Sequence, residues 1–230
     1  MSKRNLGSKI KLSSYDDMFG VNVAENENVN EENQIKDVAL SELHPFKNHP
    51  FKVIDDEKME EMVESVKQYG ILVPAIVRER AEGGYELISG HRRHHAAVLA
   101  GLEEMPVIVK KCDDDESTVI MVDANIQRED ISVSEKAKAY RMKYDAMKHQ
   151  GASGGISLAE MSESAGESRK TIQRLIYLSN LTEELLELID NKKIGIAQGV
   201  DLAFISKEEQ EVVFRVMQKT GVFINMEQSA

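Results

Sequence analysis

The sequence predicts an α+β chain: a small α/β domain over residues 37–113 and an all-helical domain over 114–222, with an arm over 1–36 and a tail over 223–230. Three observations predict it. Strand and helix signals alternate from Asp37 to about Lys111, strand signals cease after Asp113-Asp-Asp-Glu116, and the arm has no hydrophobic period. A hydrophobic share of 41% over 230 residues is enough for a core in each half, and the single cysteine, Cys112, excludes an internal disulfide and a cysteine-cluster zinc site. No apolar run is long enough to cross a membrane and none follows the charges of Met1-Ser-Lys-Arg-Asn, so the expectation is a soluble, cytoplasmic protein.

The arm carries an Asn/Glu tract over 24–34 that buries too little to offset its ordering entropy, and reads as mostly disordered. Its first part is basic, with Lys3, Arg4, Lys9 and Lys11 ahead of Leu12 and a Tyr15-Asp-Asp-Met-Phe19 patch. Asp55-Asp56 caps a helix whose Met59, Met62, Val63 and Val66 follow three-and-four spacing, and Gly70 stops it. Strands over 75–80 and 85–89 are joined through Glu82-Gly83-Gly84, a hairpin turn. A helix follows Gly90 and ends at Gly101, and a strand covers 105–110. Ser132-Val-Ser-Glu135 is a capping box for a helix to about His149, which Gln150-Gly-Ala-Ser-Gly-Gly155 breaks. From Leu158 to Gly221 the chain reads as helices separated by Gly166, Asn180, Gly195 and Ser206.

In Ile88-Ser-Gly-His-Arg-Arg-His-His-Ala-Ala-Val98 an apolar strand runs through Ser89 and Gly90 into Arg92 and Arg93 at the start of a helix. Free backbone N–H groups, a positive helix end and two guanidinium groups then converge on one point, which suits phosphate. His91 and His94 would add hydrogen bonds to phosphate when protonated. A helix also sets His91 and His95 four apart, as some zinc sites require, but the same face must meet phosphate, and no metal is assigned there.

Residues 158–178 fit a helix-turn-helix. Leu158, Met161 and Ala165 face inward on the first helix, Gly166 permits the turn, and small Ser162 lets the helices approach. Ser168 caps a second helix with Ile172, Leu175 and Ile176 inward, and Ser168 itself, Arg169, Lys170, Thr171, Gln173 and Arg174 are left to meet DNA. A net charge of −11 argues at first against nucleic acid. Local charge reverses that: residues 168–178 hold three basic side chains and no acid, whereas 181–230 hold nine acids against five bases.

With Gly70-Ile-Leu-Val-Pro-Ala-Ile-Val-Arg78 upstream and Asp123-Ala-Asn-Ile-Gln-Arg-Glu-Asp130 downstream of the phosphate motif, the chain resembles ParB-type DNA partition proteins from about Val38 to about Ile205. The resemblance implies the ParB/sulfiredoxin-like N-terminal fold, and a segment with Gly70, Leu72 and Pro74 flanking a cytosine base. It further implies a cradle from Ser89 to His94 for the phosphates of CTP, and Asn125, Arg128 and Glu129 holding phosphate, with magnesium at Asn125. It also implies a centromere-like duplex DNA site, a homodimer that closes as a clamp, nucleoid association, and an arm that docks on a ParA-type ATPase. Four places depart from the family pattern: Val73 stands for glutamine, His91 and Ala124 for glutamates, and Ala197-Gln-Gly-Val200 for a DNA-gripping Gly-His-Ala-Arg. Lys192 and Lys193 are expected to compensate for the last, and any CTP hydrolysis is expected to be weak. Two other readings stay open: a transcription regulator on this fold without nucleotide control, and a phosphotransferase resembling free-serine kinases.

Overall fold

A computed structural model describes residues 34–128, 130–149, 151 and 154–224. Five strands make one mixed sheet: β1 (Ile35–Ala39), β2 (Leu43–His44), β3 (Ala75–Glu79), β4 (Tyr85–Ser89) and β5 (Glu104–Val109), in the order β1-β5-β3-β4-β2. The pairs β1/β5 and β3/β4 are antiparallel, while β3/β5 and β2/β4 are parallel. β1 begins two residues inside the segment read as arm. The β3–β4 hairpin turns through Gly83 (φ 91°) and Gly84 (φ 72°), and a Cβ on Gly84 would lie 2.7 Å from the Glu42 carbonyl oxygen.

Strand alternation builds the sheet's two faces. Leu87 joins Val38, Ala75, Val77, Met105 and Val107 in one cluster, whereas its neighbour Ile88 joins the cluster of the helical half. Helix α1 (Glu57–Tyr69) starts where the Asp56 carboxylate accepts from the Met59 amide, and packs on α2 (His91–Ala100) through Met59, Val63, Val66 and Ala96.

One helix is unassigned in the sequence. α3 (Asp114–Ile126) opens on a reciprocal capping box between Asp113 and Glu116 and buries Ser117, Met121, Val122 and Ile126. Its run Val119-Ile-Met-Val122 shows no clear helical period, because one side of α3 meets β4 and the other meets the helices that follow. Arg78 of β3 ties its first turn to the sheet, bonding Asp114 at 2.7 Å and buried Glu86 at 2.6 Å. The remaining helices are α4 (Val133–His149), α5 (Gly154–Ala165), α6 (Arg169–Leu178), α7 (Glu183–Asp190), α8 (Ile196–Leu202) and α9 (Lys207–Thr220). Their core, with Tyr140, Met161, Ile172, Leu178, Leu185 and Leu186 fully buried, is continuous with Met121 of α3 and Ile88 of β4. Gly199 lets α8 approach closely: a Cβ there would stand 2.6 Å from Ile189 Cδ1 and 2.8 Å from Leu178 Cδ2.

Candidate functional site

The strand-to-helix turn forms as the sequence predicts. Gly90 sits at φ 103° between β4 and α2, and a Cβ on it would meet Ala75 Cβ at 2.9 Å. The turn opens into a cleft of about 210 Å³ lined by His49, Val53, Met62, Ser89, Gly90, His91, Arg92, Arg93, Ala124, Asn125 and Arg128. Residues from β4, α2 and the end of α3, far apart in sequence, thus share one cavity with three guanidinium groups and a helix N-terminus. Glu129 lies outside the described residues.

The arginines are not free charges waiting for a ligand. Arg92 Nη2 donates to Asp56 Oδ1 at 2.8 Å, and this bond holds the Asp56 carboxyl below its usual range. Arg93 Nη1 donates to the carbonyl oxygen of Pro74 at 2.7 Å and to that of Val73. Arg93 is therefore the link between the cleft and the Gly70–Pro74 segment. Gly70, Leu72 and Pro74 themselves do not line the cavity, and Leu72 is 76% exposed.

The expectation of protonated histidines is corrected. Burial, with His49 and His94 nearby, pushes His91 down to about 3, and burial also lowers His94 and His49. These imidazoles are neutral near pH 7. His91 stacks on His49 at 3.8 Å between ring centroids, and its Nε2 faces the Phe46 amide at 3.4 Å, which leaves its buried Nδ1 without a partner. His95 faces away, bonded to Asp55 at 2.7 Å. Among the described residues no group of three metal-ligating side chains occurs. Burial raises the Cys112 thiol, so it does not act as a ready thiolate.

The second candidate surface is α6. The Ser168 hydroxyl accepts from the Thr171 amide at 3.1 Å and pairs with the Thr171 hydroxyl at 2.8 Å, so both residues serve the cap. Ile172, Leu175 and Ile176 are buried, and Arg169, Lys170, Gln173 and Arg174 are exposed. Gly166 takes φ 67° at the turn, as required. Glu167, charged where such turns are usually apolar, is half-buried and paired with Lys136 of α4 at 3.0 Å, and its carbonyl accepts from the Ser162 hydroxyl. Lys192 and Lys193 are exposed between α7 and α8, with Lys193 Nζ 5.6 Å from the Phe223 ring. Val200 is half-buried against the helical core, so the family's arginine is replaced there by packing.

Sequence reasoning missed His49, Val53 and Met62 in the cleft and Asp56 as the partner of Arg92. Asp56 announces itself only as a helix cap, and nothing local connects residue 49 with residue 91.

Comparison with known proteins agrees with this architecture. Residues 24–126 match the ParB N-terminal domain and residues 129–228 match the ParB HTH domain. The chain is 30% identical, over 82% of its length and 62% of the relative's, to the probable chromosome-partitioning protein ParB of Vibrio cholerae. It is 29% identical, over 78% of its length and 60% of the relative's, to a nucleoid occlusion protein of Listeria monocytogenes. The chain thus spans about three fifths of these relatives. Its fold matches the C-terminally truncated chromosome-partitioning protein ParB of Caulobacter crescentus complexed to the centromeric parS site, with TM-score 0.51 and 22% identity over 82% of this chain and 94% of that one. With both ParB domains present in sequential order, the chain belongs to the ParB family.

Proposed function

We propose that this protein is a sequence-specific DNA-binding partition protein that reads a centromere-like duplex through α6 and holds the phosphates of a nucleoside triphosphate, CTP, in the cleft at Gly90. The observation that carries it is the exposed face of α6: Arg169, Lys170, Gln173 and Arg174 on a capped helix, in the helix-turn-helix of a family with DNA-bound members. Arginine pairs with guanine edges and glutamine with adenine, and lysine grips phosphate. Lys192 and Lys193 add backbone contacts. The names of the relatives, a chromosome-partitioning protein and a nucleoid occlusion protein, support a role on the chromosome. By the same resemblance the protein acts as a homodimer, and residues 1–20, outside the described residues, dock on a ParA-type ATPase.

Phosphate fits the cleft. Gly90 brings no side chain to the turn, the N-terminus of α2 begins there, and Arg93 and Arg128 stand beside it. Gly70, Leu72 and Pro74 supply the base side through Arg93. Magnesium at Asn125 does not fit: no aspartate or glutamate lines the cleft among the described residues, and Asn125 offers only a neutral amide oxygen.

Arg169→Ala and Gln173→Ala should each cost about 1–3 kcal/mol of discrimination between cognate and random duplex. Equal weakening on both duplexes would make them phosphate contacts, and unchanged binding would remove α6 from the interface. Replacing Arg92 and Arg93 together by alanine should abolish nucleotide binding. A wild-type protein that binds cognate DNA and no nucleotide would instead be a regulator without nucleotide control, a reading favoured by the Asp56 carboxylate already paired with Arg92.

A further inference from the structure

We infer that the cleft takes the nucleotide's phosphates as the metal-free anion, so that magnesium does not assist binding. This rests on the phosphate reading above and adds the ionic form of the ligand. Among the described residues eleven line the cleft; three are arginines and none is acidic. Ala124, exposed on the last turn of α3, presents a methyl group where a carboxylate would have to stand. The nearby acids are already paired: Asp56 Oδ1 accepts from Arg92 at the edge of the cleft and caps α1, and Asp130 faces Lys58 at 3.6 Å.

A divalent ion here would sit among like charges. It would face three guanidinium groups and the positive end of α2, with the Asn125 amide oxygen and the Ser89 hydroxyl, both neutral, as the hard side-chain ligands among the described lining residues, whereas magnesium demands near-octahedral oxygen coordination and usually a carboxylate. His91, which also lines the cleft, is neutral and a softer ligand than a carboxylate. The uncomplexed triphosphate carries two more negative charges than its magnesium complex. Three cations and a row of backbone donors stabilise that form without a metal in between.

The test is calorimetric titration of the full chain with CTP in excess EDTA and again in millimolar magnesium, with cognate DNA present in both. Affinity in EDTA should equal or exceed that in magnesium, by up to about tenfold, as expected for screened charge interactions in an open cleft. Affinity weaker in EDTA by more than about threefold at matched ionic strength overturns the inference, since screening is then equal in the two solutions and only the loss of magnesium distinguishes them. Ala124→Glu changes an exposed position and should reverse the sign, weakening binding in EDTA and restoring it with magnesium. If that variant stays indifferent to magnesium, the assignment to the missing carboxylate is wrong. No binding in either solution overturns the phosphate reading itself, a result distinct from metal-dependent binding.

Discussion

His91 shows how one side chain changes meaning once its surroundings are known. In sequence it is a phosphate donor, when protonated, beside two arginines, and in the fold it is a neutral ring stacked on His49. Its pKa, near 6.5 when unfolded, falls to about 3 in the native state, chiefly through burial. Unfolding therefore takes up a proton between those values, and the stability present above pH 6.5 is lost as pH falls toward 3, at up to about 1.4 kcal/mol per pH unit. Urea titrations at pH 7, 6 and 5 should show that slope, and His91→Asn should flatten it; an identical slope in the variant would mean that His91 does not carry it. Gly90 makes the complementary point. Gly90→Ala must hold φ 103° and place a methyl 2.9 Å from Ala75 Cβ, so it should cost about 1–3 kcal/mol and reduce nucleotide binding in a protein that otherwise folds. Stability equal to wild type would show that the turn relaxes freely.

At the scale of elements, the helix-turn-helix was legible because its determinants lie within a few residues of one another. Ser168 caps α6 over three positions, Gly166 turns the chain, and Ile172, Leu175 and Ile176 repeat at helical spacing. Ser168→Ala should cost about 1 kcal/mol and weaken DNA binding without abolishing it. Glu167 was the misfit of the pattern, and its explanation is 31 residues away in Lys136. A double-mutant cycle on Lys136→Met and Glu167→Gln should give a coupling of about 0.5–2 kcal/mol, whereas additive losses would reduce their 3.0 Å contact to a passive one. Helix α3 escaped for the opposite reason. Its capping box is local and readable, yet burial on two sides erased the amphipathic period that would have extended it.

Across the whole molecule, α3 belongs to both halves. Ala124 and Asn125 face the cleft, while Asp123 bonds Lys143 of α4 and Gln127 donates to Ser164 O of α5 at 3.1 Å. Lys143 is only 4% exposed and also donates to the Ser164 hydroxyl at 3.1 Å, so one lysine joins α3, α4 and the first helix of the DNA-reading motif. Lys143→Met should cost about 1–3 kcal/mol by leaving Asp123 and Ser164 without their donor. Lys138→Met, which breaks the exposed pair with Glu183, should cost about 0.5 kcal/mol or less. Equal losses in chemical denaturation would deny the node any special weight.

By itself the sequence determined what depends on neighbours along the chain: the strands β3, β4 and β5 and their glycine turn, the caps at Asp56 and Ser168, the helix-turn-helix, and the order of motifs that marks the family. Hydrogen bonds spanning three or four residues and the periods of helix and strand leave their record locally. Only the tertiary structure decided the chemistry of the cleft. Arg92 meets Asp56 across 36 residues, Phe46 meets His91 across 45, and α3 brings Asn125 to Gly90. The neutral histidines, the shared arginines and the absence of a lining carboxylate among the described residues follow from burial and long-range pairing. Those depend on which segments pack together, and no local pattern records that.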